Sequence, residues 1–302
     1  MPQSQITAEV VSIGDEMTSG ARVDTNAAWL SQRLSDLGIH VTFHSTVGDT
    51  LSHNIEVFRT AADRADVIVA TGGLGPTQDD LTREALSAVV DQPLEFRQSA
   101  MDHIESLFKR LDREMPERNR VQAMFPVGSN EVFNPHGTAP GIDVSVPRDG
   151  RPPSRIFALP GVPAEMKRMF DETVAPRIVD GFGKDIVIRQ HVMKLFGIGE
   201  SEMERRLGDM ISRQRQPRVG ITVSSATISL RISAMGDSED QCQQLIDDTR
   251  AEVLDKVPQY YFGDGEGFEQ HHAIDQILTE RGESLAIAEL GYSTLLGNMF
   301  AA

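Results

Sequence analysis

Within the first ninety residues, short apolar runs alternate with amphipathic stretches, and this restricts the chain to very few topologies. Ala8 to Gly14 reads as a strand. Asp24 to Leu37 reads as a helix, with Ala27, Leu30, Leu34 and Leu37 on one face and Gly38 as its stop. Ile39 to Phe43 alternates apolar and polar, as a strand does. Ser52 to Ala65 is helical, with Ile55, Phe58 and Ala62 facing inward. The run Asp66 to Ala70 predicts a buried strand, and Leu81 to Val90 a helix. This βαβαβα order implies a parallel sheet with helices on both faces. Ligands of such sheets bind at the C-terminal ends of the strands. Three polar segments should therefore converge: Gly14-Asp15-Glu16, Val47-Gly48-Asp49, and the loop from Gly72 to Asp80.

The third of these, Thr71-Gly72-Gly73-Leu74-Gly75-Pro76-Thr77-Gln78-Asp79-Asp80, joins a strand to a helix. Backbone N–H groups point outward at such a turn, the helix dipole favours negative charge, and glycine permits close approach to a phosphate. Two carboxylates close the loop, where they would repel a bare phosphate. One explanation is a divalent ion bridging protein and phosphate. The other is a tight turn in which Asp79 or Asp80 caps the helix.

Further along, Arg97 to Arg113 predicts a helix, and Pro116 opens a short one. Asn134 to Gly141 is a loop by composition. Ile142–Val146 and Ile156–Leu159 read as strands around a turn at Pro147–Ser154. Leu159-Pro160-Gly161-Val162-Pro163 leads into a helix from Ala164. The pattern changes near Gly181. A strand (Ile186–Phe196), a helix (Glu200–Arg213), two strands (Val219–Val223, Thr227–Ala234), a helix (Ser238–Lys256) and a short strand (Tyr260–Phe262) then form an α+β unit of domain size.

Charge and composition exclude several function classes. With 29 Lys and Arg against 45 Asp and Glu, the net charge is −16, which opposes general nucleic-acid binding. The arginines 205, 206, 213, 215 and 218 read as a solvated helix face and the loop after it. No apolar run approaches the ~18 residues of a membrane span, and residues 1–5 lack signal-peptide character. The single cysteine, Cys242, has no internal partner and reads as structural, which fits a reducing cytoplasm.

The chain resembles the CinA family of competence/damage-inducible proteins. The matching pieces occur in family order: Gly14-Asp15-Glu16, Asp24-Thr25-Asn26, Val47-Gly48-Asp49, Thr71 to Thr82, Asn134 to Gly141, Leu159 to Met166, and Phe196-Gly197-Ile198-Gly199-Glu200-Ser201. The resemblance implies an α/β fold with a three-layer, parallel-sheet, molybdopterin-binding-like domain over residues 1–178. It also implies a smaller α+β KH-like domain over 179–262, and a linker with the remnant of a C-terminal amidase domain over 263–302. The KH-like part lacks a Gly-x-x-Gly loop, so no nucleic-acid partner is expected. Where the family's amidase carries Ala-Glu-Ser-Cys-Thr-Gly-Gly, this chain has Ala288-Glu289-Leu290-Gly291-Tyr292-Ser293-Thr294. No amidase activity is expected, and a truncated or degenerate remnant is the simplest account.

The activity associated with such domains is ADP-ribose pyrophosphatase, acting on a small-molecule nucleotide diphosphate with a divalent ion (Mg, Mn or Co). On that basis Asp15, Asp79 and Asp80 are expected to hold metal, and Asp80, Asp49 and Glu16 to act in catalysis, with Glu16 either a general base or a solvated loop carboxylate. Gly72, Gly73, Gly75 and Thr77 would cradle the diphosphate. Asn134, Gly137, Thr138, Pro160 and Gly161 would contact sugar or base, and His136 reads as a loop residue rather than a ligand. A homodimer is expected. The rival reading is a pterin-phosphate binding or adenylyl-transfer module, since fold does not fix function.

Overall fold

The computed structural model describes residues 6–182, 187–212, 215–224, 226–290 and 295–300. They form two compact units, Met1–Lys184 and Asp185–Ala302. In the first, the expected alternation is present: β1 (Thr7–Ile13), a short turn of helix α1 (Asp15–Thr18), α2 (Thr25–Asp36), β2 (His40–Val47), α3 (Leu51–Arg64), β3 (Val67–Thr71) and α4 (Thr82–Val90). There follow β4 (Leu94–Phe96), α5 (Gln98–Arg110), a 3-10 turn (Glu117–Ala123), β5 (Met124–Pro126), β6 (Asn130–Val132), β7 (Gly141–Arg148) and β8 (Arg151–Leu159). Then α6 (Pro163–Met169) runs through a π turn (Phe170–Val174) into α7 (Ala175–Phe182), past the boundary expected at 178.

The main sheet has the order β2-β1-β3-β8-β7-β6. Its first four strands are parallel, as the alternation requires. The sheet is nevertheless mixed, because β7 and β6 run antiparallel. The segment expected as a turn from Pro147 to Ser154 is mostly strand, and only Asp149-Gly150 separate β7 from β8. So short a link joins only antiparallel strands. Pro152 and Pro153 are tolerated because β8 meets β3 only from Arg155 onward, so their missing N–H groups face no neighbour there.

Side chains alternate across this sheet into two cores. Val11, Ile13, Ile68 and Ala70 meet Phe58 of α3, Leu86 of α4 and Ile104 of α5. Val10, Val67 and Val69 meet Leu30 and Leu34 of α2 and Met166, Phe170 and Ile178 of the last helix. The result is a three-layer sandwich. Strand order reverses between β1 and β3, which is where an open α/β sheet leaves a crevice.

The second unit contains β9 (Val187–Phe196), α8 (Glu200–Leu207), β10 (Arg218–Ser224), β11 (Thr227–Gly236), α9 (Glu239–Lys256) and β12 (Tyr261–Asp264) in the antiparallel order β10-β11-β9-β12. The helix expected to reach Arg213 stops at Leu207, where Gly208 takes φ 57 and a 3-10 turn follows. Cys242 is buried in this unit's core, donating to the Val187 carbonyl at 3.1 Å. Arg205 and Arg206 pair with Glu202, and Arg215 with Glu252, as a solvated face does. Arg213 lies outside the described residues. After β12 come α10 (Gln270–Arg281) and α11 (Leu295–Phe300). Residues 283–290 form neither helix nor strand, and Gly291 to Thr294 lie outside the described residues. No helix among the described residues is long and apolar enough to cross a membrane.

Candidate active site

A cleft of about 530 Å³ opens at the C-terminal ends of β1, β2, β3 and β8. That is within the range of small-molecule sites. Its floor is the glycine loop after β3. Gly72 has φ +111, and a Cβ there would sit 2.2 Å from the Ile13 carbonyl oxygen at the end of β1. Only glycine lets the two strand ends close this tightly. Gly72 N–H donates to the Leu159 carbonyl of β8 at 3.0 Å, and the Thr82 hydroxyl donates to the Gly72 carbonyl at 2.9 Å.

Asp80 closes the loop on itself. Its Oδ1 accepts from Gly75 N–H at 2.7 Å, and its Oδ2 accepts from Thr77 N–H at 2.9 Å and from the Thr77 hydroxyl. Neither aspartate caps α4, whose N-cap is Leu81 with no side-chain bond. From behind, Arg83 donates to the carbonyls of Leu74 and Gly75, and Gln122 donates to Leu74 at 3.3 Å. No hydrogen bond within the described residues uses the N–H of Gly73 or Leu74, both of which line the cleft.

The loops after β1 and β2 form the opposite wall. Asp15 N–H donates to Asp49 and Asp49 N–H donates to Asp15, each at 3.0 Å. Burial raises the Asp49 carboxyl above its ordinary value, and the charges of Asp15, Asp79 and Glu16 add to that rise. At the start of α2, Asp24 accepts from Ala27 N–H at 2.9 Å and from the Ser12 hydroxyl. Asn26 donates to the Gly161 carbonyl at 2.9 Å, tying the β1 side to the β8 side.

Glu16, Asp49, Gly72, Gly73, Gly75, Asp79, Asp80, Thr138, Pro160 and Gly161 line the cleft as expected. Asp15, Thr77, Asn134 and Gly137 do not. Asp15 stands behind Asp49, and Thr77 is spent on Asp80. Asn134 is buried, donating to the Ala139 carbonyl at 2.9 Å and to Glu165 at 2.7 Å. A Cβ on Gly137 would meet the Glu165 carboxylate, so that glycine serves loop packing rather than ligand contact. His136, as expected, is a loop residue, within reach of Arg168. Sequence reasoning missed Arg22, Gln122 and Glu165, which also line the cleft. Glu165 lies inside a motif already singled out, but nothing in the local sequence marks Arg22 or Gln122.

The acidic donors are all oxygen, which suits a hard cation such as Mg²⁺ or Mn²⁺. Among the described residues, no three His, Cys, Asp or Glu converge as a ready-made cage. A divalent ion held at this wall would have to keep water or take further oxygen ligands to fill its shell.

The sequence matches the family models described as Probable molybdopterin binding domain over residues 9–180 and Damage-inducible protein CinA KH domain over residues 190–263. It is 35% identical to a protein of Bacillus cytotoxicus named as competence-damage inducible, over 97% of this chain and 69% of that one. A similarly named protein of Oceanobacillus iheyensis is 35% identical over 97% of this chain and 68% of its own length. The crystal structure of the protein CinA of unknown function from Thermoplasma acidophilum is 31% identical, with TM-score 0.51, covering 57% of this chain and 99% of that one. With both domain models matched in order and relatives 35% identical along 97% of its length, this chain belongs to the CinA family.

Proposed function

We propose that this chain hydrolyses a nucleotide-sugar diphosphate, ADP-ribose to AMP and ribose 5-phosphate, with a divalent ion at the cleft, and acts as a cytoplasmic homodimer. The observation that supports this is the facing of two surfaces: open amides of a glycine loop, and carboxylates from two other strand ends. The amides of Gly73 and Leu74 hold the diphosphate. Asp49 and Asp79 would hold the ion, with Asp15 bracing Asp49. When bound, the ion polarises the phosphoanhydride and acidifies the attacking water. Glu16 accepts the water's proton, a phosphorus–oxygen bond forms, and the bond to the bridging oxygen breaks. Asp80 acts as the clasp of the glycine loop.

Incubation with ADP-ribose and Mg²⁺, Mn²⁺ or Co²⁺ should release AMP, EDTA should stop it, and Asp80→Ala should abolish it. A second reading has support in the family model's description: a molybdopterin-type ligand bound without hydrolysis, or carried through adenylyl transfer. Folded protein that yields no AMP with any of these metals favours it. No amidase activity is expected, since Leu290 stands where that chemistry requires serine.

A further inference from the structure

The cleft has a charge problem. Six carboxylates line it (Glu16, Asp24, Asp49, Asp79, Asp80 and Glu165) against one basic side chain, Arg22. A diphosphate brings still more negative charge. A second cation lies out of sight behind the glycine loop. Arg83, in the first turn of α4, is 1% exposed and heads the largest fully buried side chains. Its guanidinium donates to two carbonyls, Leu74 and Gly75, the latter at 3.2 Å. No carboxylate among the described residues forms an ion pair with it. Burial pushes its pKa down to about 10, with Glu84 and Asp80 opposing, so it remains charged at neutral pH.

Neutral donors would hold those carbonyls at less cost. Gln122 already reaches Leu74, itself held by Asn119 at 2.9 Å. Burying a guanidinium with no carboxylate bonded to it is costlier than burying an amide, and holding two carbonyls does not by itself call for a charge. The loop between Arg83 and the cleft supplies the explanation. Arg83 lies against its back through the Leu74 and Gly75 carbonyls, while Gly73 and Leu74 line the cleft with N–H groups that enter no hydrogen bond among the described residues. A buried cation at the back of so short a loop places a positive field at the cleft floor.

We propose that Arg83 is the buried counter-charge of a diphosphate site, acting from behind the glycine loop, by its charge, on the phosphates of a bound nucleoside diphosphate. It is a positioning residue, since it does not line the cleft. The inference rests on reading the cleft as a diphosphate site but does not need hydrolysis. It makes the site select for ligand charge: a nucleoside lacking phosphates gains nothing from Arg83.

The test compares wild type, Arg83→Lys and Arg83→Gln by calorimetry with inorganic pyrophosphate, with and without Mg²⁺, and with adenosine. A unit charge at about 10 Å in an intermediate dielectric is worth on the order of ten-fold in affinity. Arg83→Gln should therefore weaken pyrophosphate by about ten-fold and leave adenosine unchanged. Arg83→Lys, which keeps the charge but not the fork, should stay within about three-fold of wild type. Equal losses in Lys and Gln variants, or equal losses for both ligands, would make Arg83 a structural donor and overturn the proposal. If Arg83→Gln does not fold, the Lys variant decides: retained affinity supports the charge, and a ten-fold loss refutes it. Wild type that ignores pyrophosphate sinks the diphosphate site as well, whereas pyrophosphate binding without ADP-ribose hydrolysis sinks only the enzymatic reading.

Discussion

Replacing Gly72 with alanine tests the contact that brings β1 and β3 together at the cleft floor. Two penalties follow from the geometry. A φ of +111 is foreign to a side-chain-bearing residue, at a cost of about 1–3 kcal/mol. The new Cβ would sit 2.2 Å from the Ile13 carbonyl oxygen, a strand backbone atom that cannot swing aside. Overpacking of that kind adds about 1–3 kcal/mol, so the total is about 2–6 kcal/mol. Two controls separate the penalties. Gly128 has φ +79 and open space around it, so alanine there should cost only about 1 kcal/mol. At Gly161 a Cβ makes an ordinary 3.7 Å contact with no positive φ, and alanine should be within about 0.5 kcal/mol of wild type. The assay is urea unfolding followed by tryptophan fluorescence. The sole tryptophan is in α2 of the first unit, its ring 5.6 Å from that of Phe170, so the signal reports that unit alone. If Gly72→Ala unfolds at the same urea concentration as Gly161→Ala, the close-approach argument fails.

Asp66, at the opposite end of β3, accepts from Thr7 N–H at 2.9 Å, the Thr7 hydroxyl at 3.0 Å and Arg148 at 2.8 Å. Burial alone would raise its carboxyl, but the bonds from Arg148 and Thr7 outweigh burial and hold it below the ordinary value. Its contribution is therefore present above the unfolded pKa and lost as pH falls through the folded one. Asp66→Ala should cost about 1.5–3 kcal/mol at pH 7, and urea midpoints of the two proteins should converge in acid; a constant gap would disprove the linkage. Asp49 has the opposite sign. With its carboxyl raised by burial and neighbouring acids, the charged form penalises the fold as pH climbs past the unfolded pKa. Asp49→Asn should therefore melt no lower than wild type in EDTA at pH 7 while losing about 100-fold or more of metal-dependent turnover. A fall of several degrees would refute this. Arg22→Ala should raise KM for a diphosphate about ten-fold with kcat and melting temperature unchanged; an unchanged KM would remove Arg22 from the binding surface.

The strand–helix alternation, the two-unit division and the meeting of three loops were legible because each rests on local pattern: period, caps and glycine punctuation. Asp24 and Ser238 both cap helices as their positions suggest. The three-residue strands β4, β5 and β6 carry too few residues to show a period. The hairpin of β7 and β8 was hidden by prolines that are harmless because β3 begins only opposite Arg155, a fact of pairing rather than of local sequence. At the site, residue types were legible and their duties were not. Nothing in the order of residues tells whether an aspartate faces a ligand or, like Asp80, its own loop. Arg83 looks like any helix arginine until the packing encloses it.

The exchange of bonds between Asp15 and Asp49 makes the loops after β1 and β2 a single mechanical part. Each carboxylate holds the other's backbone through one oxygen, so an ion that pulls on the second oxygen of either shifts both loops together. Occupancy of this wall is then closer to all-or-none than to a graded filling of independent ligands. Removing either acid should disable both, so that Asp15→Asn and Asp49→Asn together lose little more than either alone.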